Sequence, residues 1–218
     1  MNVRLLQLAS PALPVGAYSY SQGLEAAVEA GIAADAAGAR AWIGDVMRFS
    51  VAPMEAPVFL RIADAWARGD DAAAWRWNDE FIASRESAEL RAETLQMGRS
   101  LARLATDLAV PGAERLARDE LAWPTAFALV VVAWEIDTHE GLHAYLYSWL
   151  ENQVLAAVKC IPLGQTDGQR MLLALAGAIP ATVAAARAAA DEDLANFAPG
   201  LAALSAQHET QYSRIFRS

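Results

Sequence analysis

The sequence predicts an all-α fold: a single domain over residues 1–218, built as a bundle of roughly eight to ten helices. Three observations carry that expectation. Apolar residues recur at helical period along almost every segment, and nothing alternates apolar and polar residues as a half-buried strand does. Hydrophobic residues make up 55% of the chain, many of them alanine, which loses no side-chain entropy in a helix. The Gly, Pro, Asp and Ser residues between segments stand where helices start and stop.

Taken in order, Pro11 and Pro14 predict an extended opening over about residues 1–18, and Gly16 permits a turn before Ser19 or Ser21 caps the first helix. That helix carries Leu24, Ala27 and Val28 and stops at Gly31. Asp35 caps the next, which carries Trp42, Ile43, Val46 and Phe49. Pro53 suits the first turn of a helix ending near Gly69. Asp70 or Asp71 restarts the chain, with Trp75, Phe81 and Ile82 inward. Ser84 is read as the cap of a long helix to about Leu108, whose Arg85, Glu86, Glu89, Arg91 and Glu93 form a solvated face of helical ion pairs.

Pro111-Gly112 breaks the pattern, and Pro124 opens a helix to about Trp134 whose all-round apolarity predicts central burial. Leu129 to Val132 also reads as a short buried strand, but alanine-rich flanks and the lack of partner strands favour helix. A further helix runs from Asp137 or Thr138 to about Cys160, stopped by Pro162. Thr166 and Gln169 have capping-box spacing at the head of a helix ending near Gly177, and Pro180 begins the next.

Charge and cysteine usage narrow the function. With 17 basic and 26 acidic residues the formal charge is −9, which repels phosphate backbones and anionic lipid, so nucleic-acid and membrane partners are not expected. The single cysteine, Cys160, forms no disulfide within the chain and suits a reducing compartment. The opening residues lack a signal-peptide apolar core, and the apolar run Ala126 to Trp134 is far short of the roughly 20 residues that span a bilayer. The expectation is a cytoplasmic protein.

His139-Glu140-Gly141-Leu142-His143 matches H-E-x-x-H, in which two histidines one turn apart hold zinc and the glutamate acts as base. This makes His139 and His143 candidate metal ligands and a zinc-dependent peptidase the alternative function. The extended third-histidine pattern is missing, however, and His208 lies in an unrelated segment. Asp137 with Glu140 also reads as an ordinary helix start. No phosphate-binding loop, dinucleotide fingerprint or nucleophile elbow occurs, so no cofactor is expected. Cys160, beside Ile161 and Pro162, reads as an inert thiol.

Two features point to partners instead. Lys159 is the only lysine, and serves either as a cation favourable to its helix end or as a partner contact. In the segment Tyr212-Ser213-Arg214-Ile215-Phe216-Arg217-Ser218, helical spacing would gather Tyr212, Ile215 and Phe216 on one face beside Arg214 and Arg217. An amphipathic basic segment on an acidic chain suits docking into a partner groove, and the tail over about residues 205–218 is read that way.

Four blocks together resemble the UreF family of urease accessory proteins. They are Leu5 to Glu25 (LLQLASPALPVGAYSYSQGLE), Ser84-Arg85 with Glu89-Leu90-Arg91 and Gln96-Met97-Gly98, Ala156 to Arg170 (AAVKCIPLGQTDGQR), and Tyr212 to Ser218. Tyr18 stands where the family often has phenylalanine, and Cys160 where it usually has an aliphatic residue. The resemblance implies a non-enzymatic, all-helical, homodimeric urease maturation factor. It implies binding to UreD (also called UreH), recruitment and regulation of the GTPase UreG, and engagement of the urease apoprotein for nickel insertion. On that footing Lys159 is the candidate contact to the GTPase. Pro14, Gly16 and Tyr18, with Tyr212, Arg214, Ile215, Phe216 and Arg217, are the candidates for UreD docking.

Overall fold

Caps, prolines and left-handed glycines divide the chain into eleven α-helical segments, with no strand among the described residues. The computed structural model describes residues 2–218. The segments are α1 (Val3–Ala9), α2 (Leu24–Glu29), α3 (Ala36–Val46), α4 (Ala56–Arg68), α5 (Asp71–Ala83), α6 (Ala88–Asp107), α7 (Trp123–Ala133), α8 (Thr138–Cys160), α9 (Gln165–Ala176), α10 (Ile179–Ala188) and α11 (Pro199–His208).

The opening is not extended throughout. Asn2 accepts a hydrogen bond from the Arg4 N–H at 3.1 Å and starts α1, and turns follow only from Ser10 onward, where the prolines begin. Ser21 Oγ accepts from the Glu25 N–H at 3.3 Å at the head of α2, and Gly31 takes a left-handed φ of 73° just after it. Asp35 caps α3 through the Gly38 N–H.

Pro53 does not begin a helix. It lies inside a π-helical stretch, Met47–Glu55, that joins α3 to α4 as one rod, and Phe49 is partly exposed there. A proline has no N–H to donate, and in the π stretch bonds run five residues back, as from the Ala56 N–H to the Val51 carbonyl, so Pro53 and Pro57 each remove one donor from the rod. Another segment adds donors here: Phe197 N–H bonds the Phe49 oxygen at 3.2 Å and Ala195 N–H the Pro53 oxygen at 3.4 Å. A wide π turn and a strap from residues 195–197 thus absorb two prolines in mid-rod.

Ser84 ends α5 rather than capping α6, its hydroxyl donating to the Phe81 carbonyl; Ser87 is the cap, accepting from the Leu90 N–H at 3.1 Å. Thr166 and Gln169 lie within α9, whose N-cap is Gly164, so their spacing is no capping box.

α7 is central as its apolarity predicts, packed by α4, α5, α6 and α8. Its own N-cap, Ala122, has no side-chain acceptor, so neighbours supply them: Asn78 of α5 accepts from the Ala122 N–H and Thr94 of α6 from the Trp123 N–H, both at 2.9 Å. Phe59, Trp123, Phe127 and Tyr145 form an aromatic cluster across α4, α7 and α8, with centroids 5.1–6.2 Å apart. Two glycines permit the close packing. A Cβ at Gly98 would overlap the Leu121 carbonyl, and one at Gly141 would lie 2.6 Å from Val131 Cγ1.

α9 and α10 run on as a rod, Gln165–Ala188, that is long and apolar enough by composition to cross a membrane. Here it lies along α3, α4 and α8.

Candidate functional site

Gly16 adopts φ 82°, a left-handed conformation that costs glycine little, and turns the chain into a single 3₁₀ turn, Ala17–Ser19. That turn holds Tyr18 outward, 64% exposed; Pro14 is also exposed. Lys159, in the last turn of α8, reaches the same place. Its Nζ donates to the Tyr18 carbonyl at 3.4 Å and lies 5.8 Å from the Tyr18 ring centroid and 5.3 Å from that of Phe216. The N-terminal block, Lys159 and the tail, three separate features in the sequence, therefore make one face.

The tail does not form the amphipathic helix that its spacing predicts. Residues 212–218 are irregular and folded back on the chain, so Tyr212, Ile215 and Phe216 do not share a face. Phe216 is buried at 5% exposure, while Tyr212 is fully exposed and Ile215 is 65% exposed. The reason is polar. Glu25 accepts from the Ile215 N–H at 2.7 Å and the Phe216 N–H at 2.8 Å. The Arg214 guanidinium donates to Glu89 at 2.8 Å, and the Arg217 N–H to the Ser19 carbonyl at 2.8 Å. Ser21 donates from both its N–H and its hydroxyl to the Ser218 main-chain oxygen. These bonds fix an irregular backbone whose N–H groups donate to a carboxylate and a distant carbonyl, where a helix would bond them within itself.

Glu89 and Glu93, two residues of the supposed solvated face, form part of this socket. Glu93 is buried at 5% exposure and accepts from Gln22 Nε2 at 2.8 Å and Ser218 Oγ at 3.1 Å. Burial pushes its carboxyl up to about 7, against the two hydrogen bonds that favour the ionised form. Gln22, a non-glycine residue at φ 51°, also accepts from Trp149 Nε1 at 2.8 Å, so its strained backbone is tied to α6 and α8 at once. Arg85 is turned inward too, 3.5 Å from Glu55 and stacked over Phe81, and Tyr145 donates to Glu55. Glu86 and Arg91 alone keep to the outer side as expected. Between this network and the N-terminal segment lies a cavity of about 80 Å³, walled by Leu13, Val15, Trp123 and Trp149.

Ser21, Gln22, Glu25, Glu89, Glu93 and His208 belong to this network although none is predicted from the sequence as a site residue. One signal was available: Glu89 and Glu93 stand four apart, on one helix face, with Met97 four further on and buried. That face ends in an apolar residue, which a solvated stripe has no reason to do.

His139 and His143 start α8 as partly buried side chains. Asp137 caps that helix through the N–H groups of His139 and Glu140, and lies 3.6 Å from His139 Nδ1. Among the described residues no three His, Cys, Asp or Glu side chains are grouped to hold a metal ion, so the zinc reading finds no third ligand. Gly141, within the motif, serves the contact with Val131. The Cys160 thiol is half-buried and pushed up to about 11, chiefly by burial and then by the charge of Glu25, as suits an inert thiol.

Comparison with known proteins agrees along the chain. The sequence model of the UreF family matches residues 33–176. The urease accessory protein UreF of Azoarcus sp. (strain BH72) is 56% identical over 222 residues, covering 99% of this chain and 95% of that protein. That of Janthinobacterium sp. (strain Marseille) is 50% identical over 220 residues, covering 99% and 97%. The bifunctional urease accessory protein UreEF of Bordetella bronchiseptica is 51% identical over 221 residues, which are 98% of this chain and 51% of that protein.

Proposed function

The chain belongs to the UreF family of urease accessory proteins, and from that premise we propose that it serves urease maturation as a cytoplasmic, homodimeric docking platform without catalysis of its own. Its partners on this reading are UreD (UreH), the GTPase UreG, whose hydrolysis it regulates, and the urease apoprotein that receives nickel. A relative that carries UreE and UreF in one chain favours joint assembly of accessory proteins.

The observation that carries the reading is the convergence of Tyr18, Lys159 and the tail. Tyr18, Tyr212 and Ile215 expose large apolar surface that their own domain leaves uncovered, and Tyr18 and Phe216 of the tail lie against the only lysine of an acidic chain. Rigid aromatic anchors beside a cation make the composition of a binding hot spot. Because Lys159 rests on both Tyr18 and Phe216, a partner seated on Tyr18 also reaches Lys159. UreD docking and control of UreG are then coupled through one surface rather than divided between two.

The test is the affinity for UreD of Tyr18→Ala, Tyr212→Ala, Ile215→Ala and Lys159→Ala, with UreG recruitment and urease activation scored alongside. Loss of about tenfold or more in UreD affinity for at least two of the four is expected, with Lys159→Ala reducing UreG recruitment as well. Unchanged affinity in all four would remove the reading.

A further inference from the structure

His208 closes α11 with no exposed surface, and it lies between two carboxylates. Its Nδ1 is 2.7 Å from Glu89 Oε2 on α6, and its Nε2 is 3.2 Å from Glu25 Oε2 on α2. An ionised carboxylate only accepts, so the ring must donate from both nitrogens, and only a ring carrying both protons does so. The same two carboxylates hold the tail: Glu25 binds the Ile215 and Phe216 N–H groups and Glu89 binds Arg214. With the ring doubly protonated the socket contains two anions and two cations, His208 and Arg214. Without that proton one carboxylate oxygen faces a ring lone pair in a site closed to water, which is costly.

Beyond Glu25 and Glu89, the segment is held at its last two residues, by the Arg217 N–H on the Ser19 carbonyl, Ser21 on Ser218 and Ser218 on Glu93. It is not helical, and among its large apolar side chains Phe216 alone is buried. A segment with few apolar contacts opens at low cost.

We propose that His208 is the proton-dependent keystone of the tail: doubly protonated, it clamps Glu25 and Glu89 in the geometry that binds residues 214–216, and loss of one proton loosens the tail and the docking face with it. The consequence for the docking face rests on the function proposed above; the clamp itself does not. Around the ring stand Glu25 from α2, Glu89 from α6, Arg214 from the tail and, near enough to Glu25 to feel its charge, the Cys160 thiol from α8. On its own helix, Glu209 is engaged with the Ala88 N–H. Glu93, one turn further along α6, reaches Ser218 instead of the ring. The clamped geometry needs a proton on each ring nitrogen, so low pH favours it and high pH opposes it.

Amide hydrogen exchange of Ile215 and Phe216 reads the clamp directly, on the full chain without any partner. Between about pH 5.5 and about pH 8.5, after correction for intrinsic rates, their protection should fall about tenfold or more while α7 amides stay protected. In His208→Gln the two amides should be weakly protected and flat with pH. A flat profile in the unaltered protein, or the same fall in His208→Gln, overturns the proposal. Glu93→Gln serves as a second variant, because Glu93 titrates in the same range: the fall should persist there, and its disappearance overturns the proposal as well. Failure of the docking face would appear only in the UreD affinities.

Discussion

Glu93 shows how one buried side chain sets a pH response. Its carboxyl rises from a usual value of about 4.3 to about 7 because burial outweighs the hydrogen bonds from Gln22 and Ser218. A folded-state value above the unfolded one means that the folded state holds the proton more tightly. Stability from this group is therefore full below about pH 4 and is lost as pH rises through about 7, by an amount on the order of 3 kcal/mol. Urea unfolding at about pH 5 and about pH 8 should show that loss, and Glu93→Gln should remove the slope attributable to this residue. A slope unchanged by the substitution would assign the effect to other groups.

Among the elements, the α7–α8 contact is set by Gly141 against Val131. Gly141→Ala should cost about 1–3 kcal/mol, since a methyl group would lie 2.6 Å from Val131 Cγ1 with little room to relax. Val131→Ala removes the atoms it meets, so the double variant should be more stable than the sum of the two single losses, in thermal or denaturant unfolding. Additive losses would mean that the glycine serves the helix start and not the contact. The rod from α3 to α4 teaches a related point. Pro53 reads locally as a helix start, and it lies mid-rod, where a π turn and donors at 195 and 197 accompany the two prolines that lack an N–H.

For the whole molecule, the tail has an outer and an inner side that variants should separate. Tyr212→Ala and Ile215→Ala should leave folding stability within about 0.5 kcal/mol, because both side chains point to solvent. Phe216→Ala should cost about 3 kcal/mol or more, since that ring is buried. Removing everything after Gln211 mixes the two effects and takes Ser218 from Glu93 as well, so point variants on the outer side give the cleaner measure of docking. Equal destabilisation by Ile215→Ala and Phe216→Ala in thermal melts would show that the tail packs differently.

Sequence alone determined the all-helical class, the centrality of α7 and most helix boundaries, with Asp35, Asp70, Asp137, Gly31, Gly69 and Pro162 each at or next to the predicted end. Those are local matters, in which a cap or a proline acts on groups within a turn of itself. It also marked Tyr18, Lys159 and the tail as singular, but as separate features. Only the tertiary structure decided that they meet, that Glu89 and Glu93 face inward, and that His208 bridges two helices. A glutamate on a helix reads the same whether its partner is water or a backbone N–H more than a hundred residues away, and the tail's helical spacing carries no record of the carboxylates that hold its backbone in place.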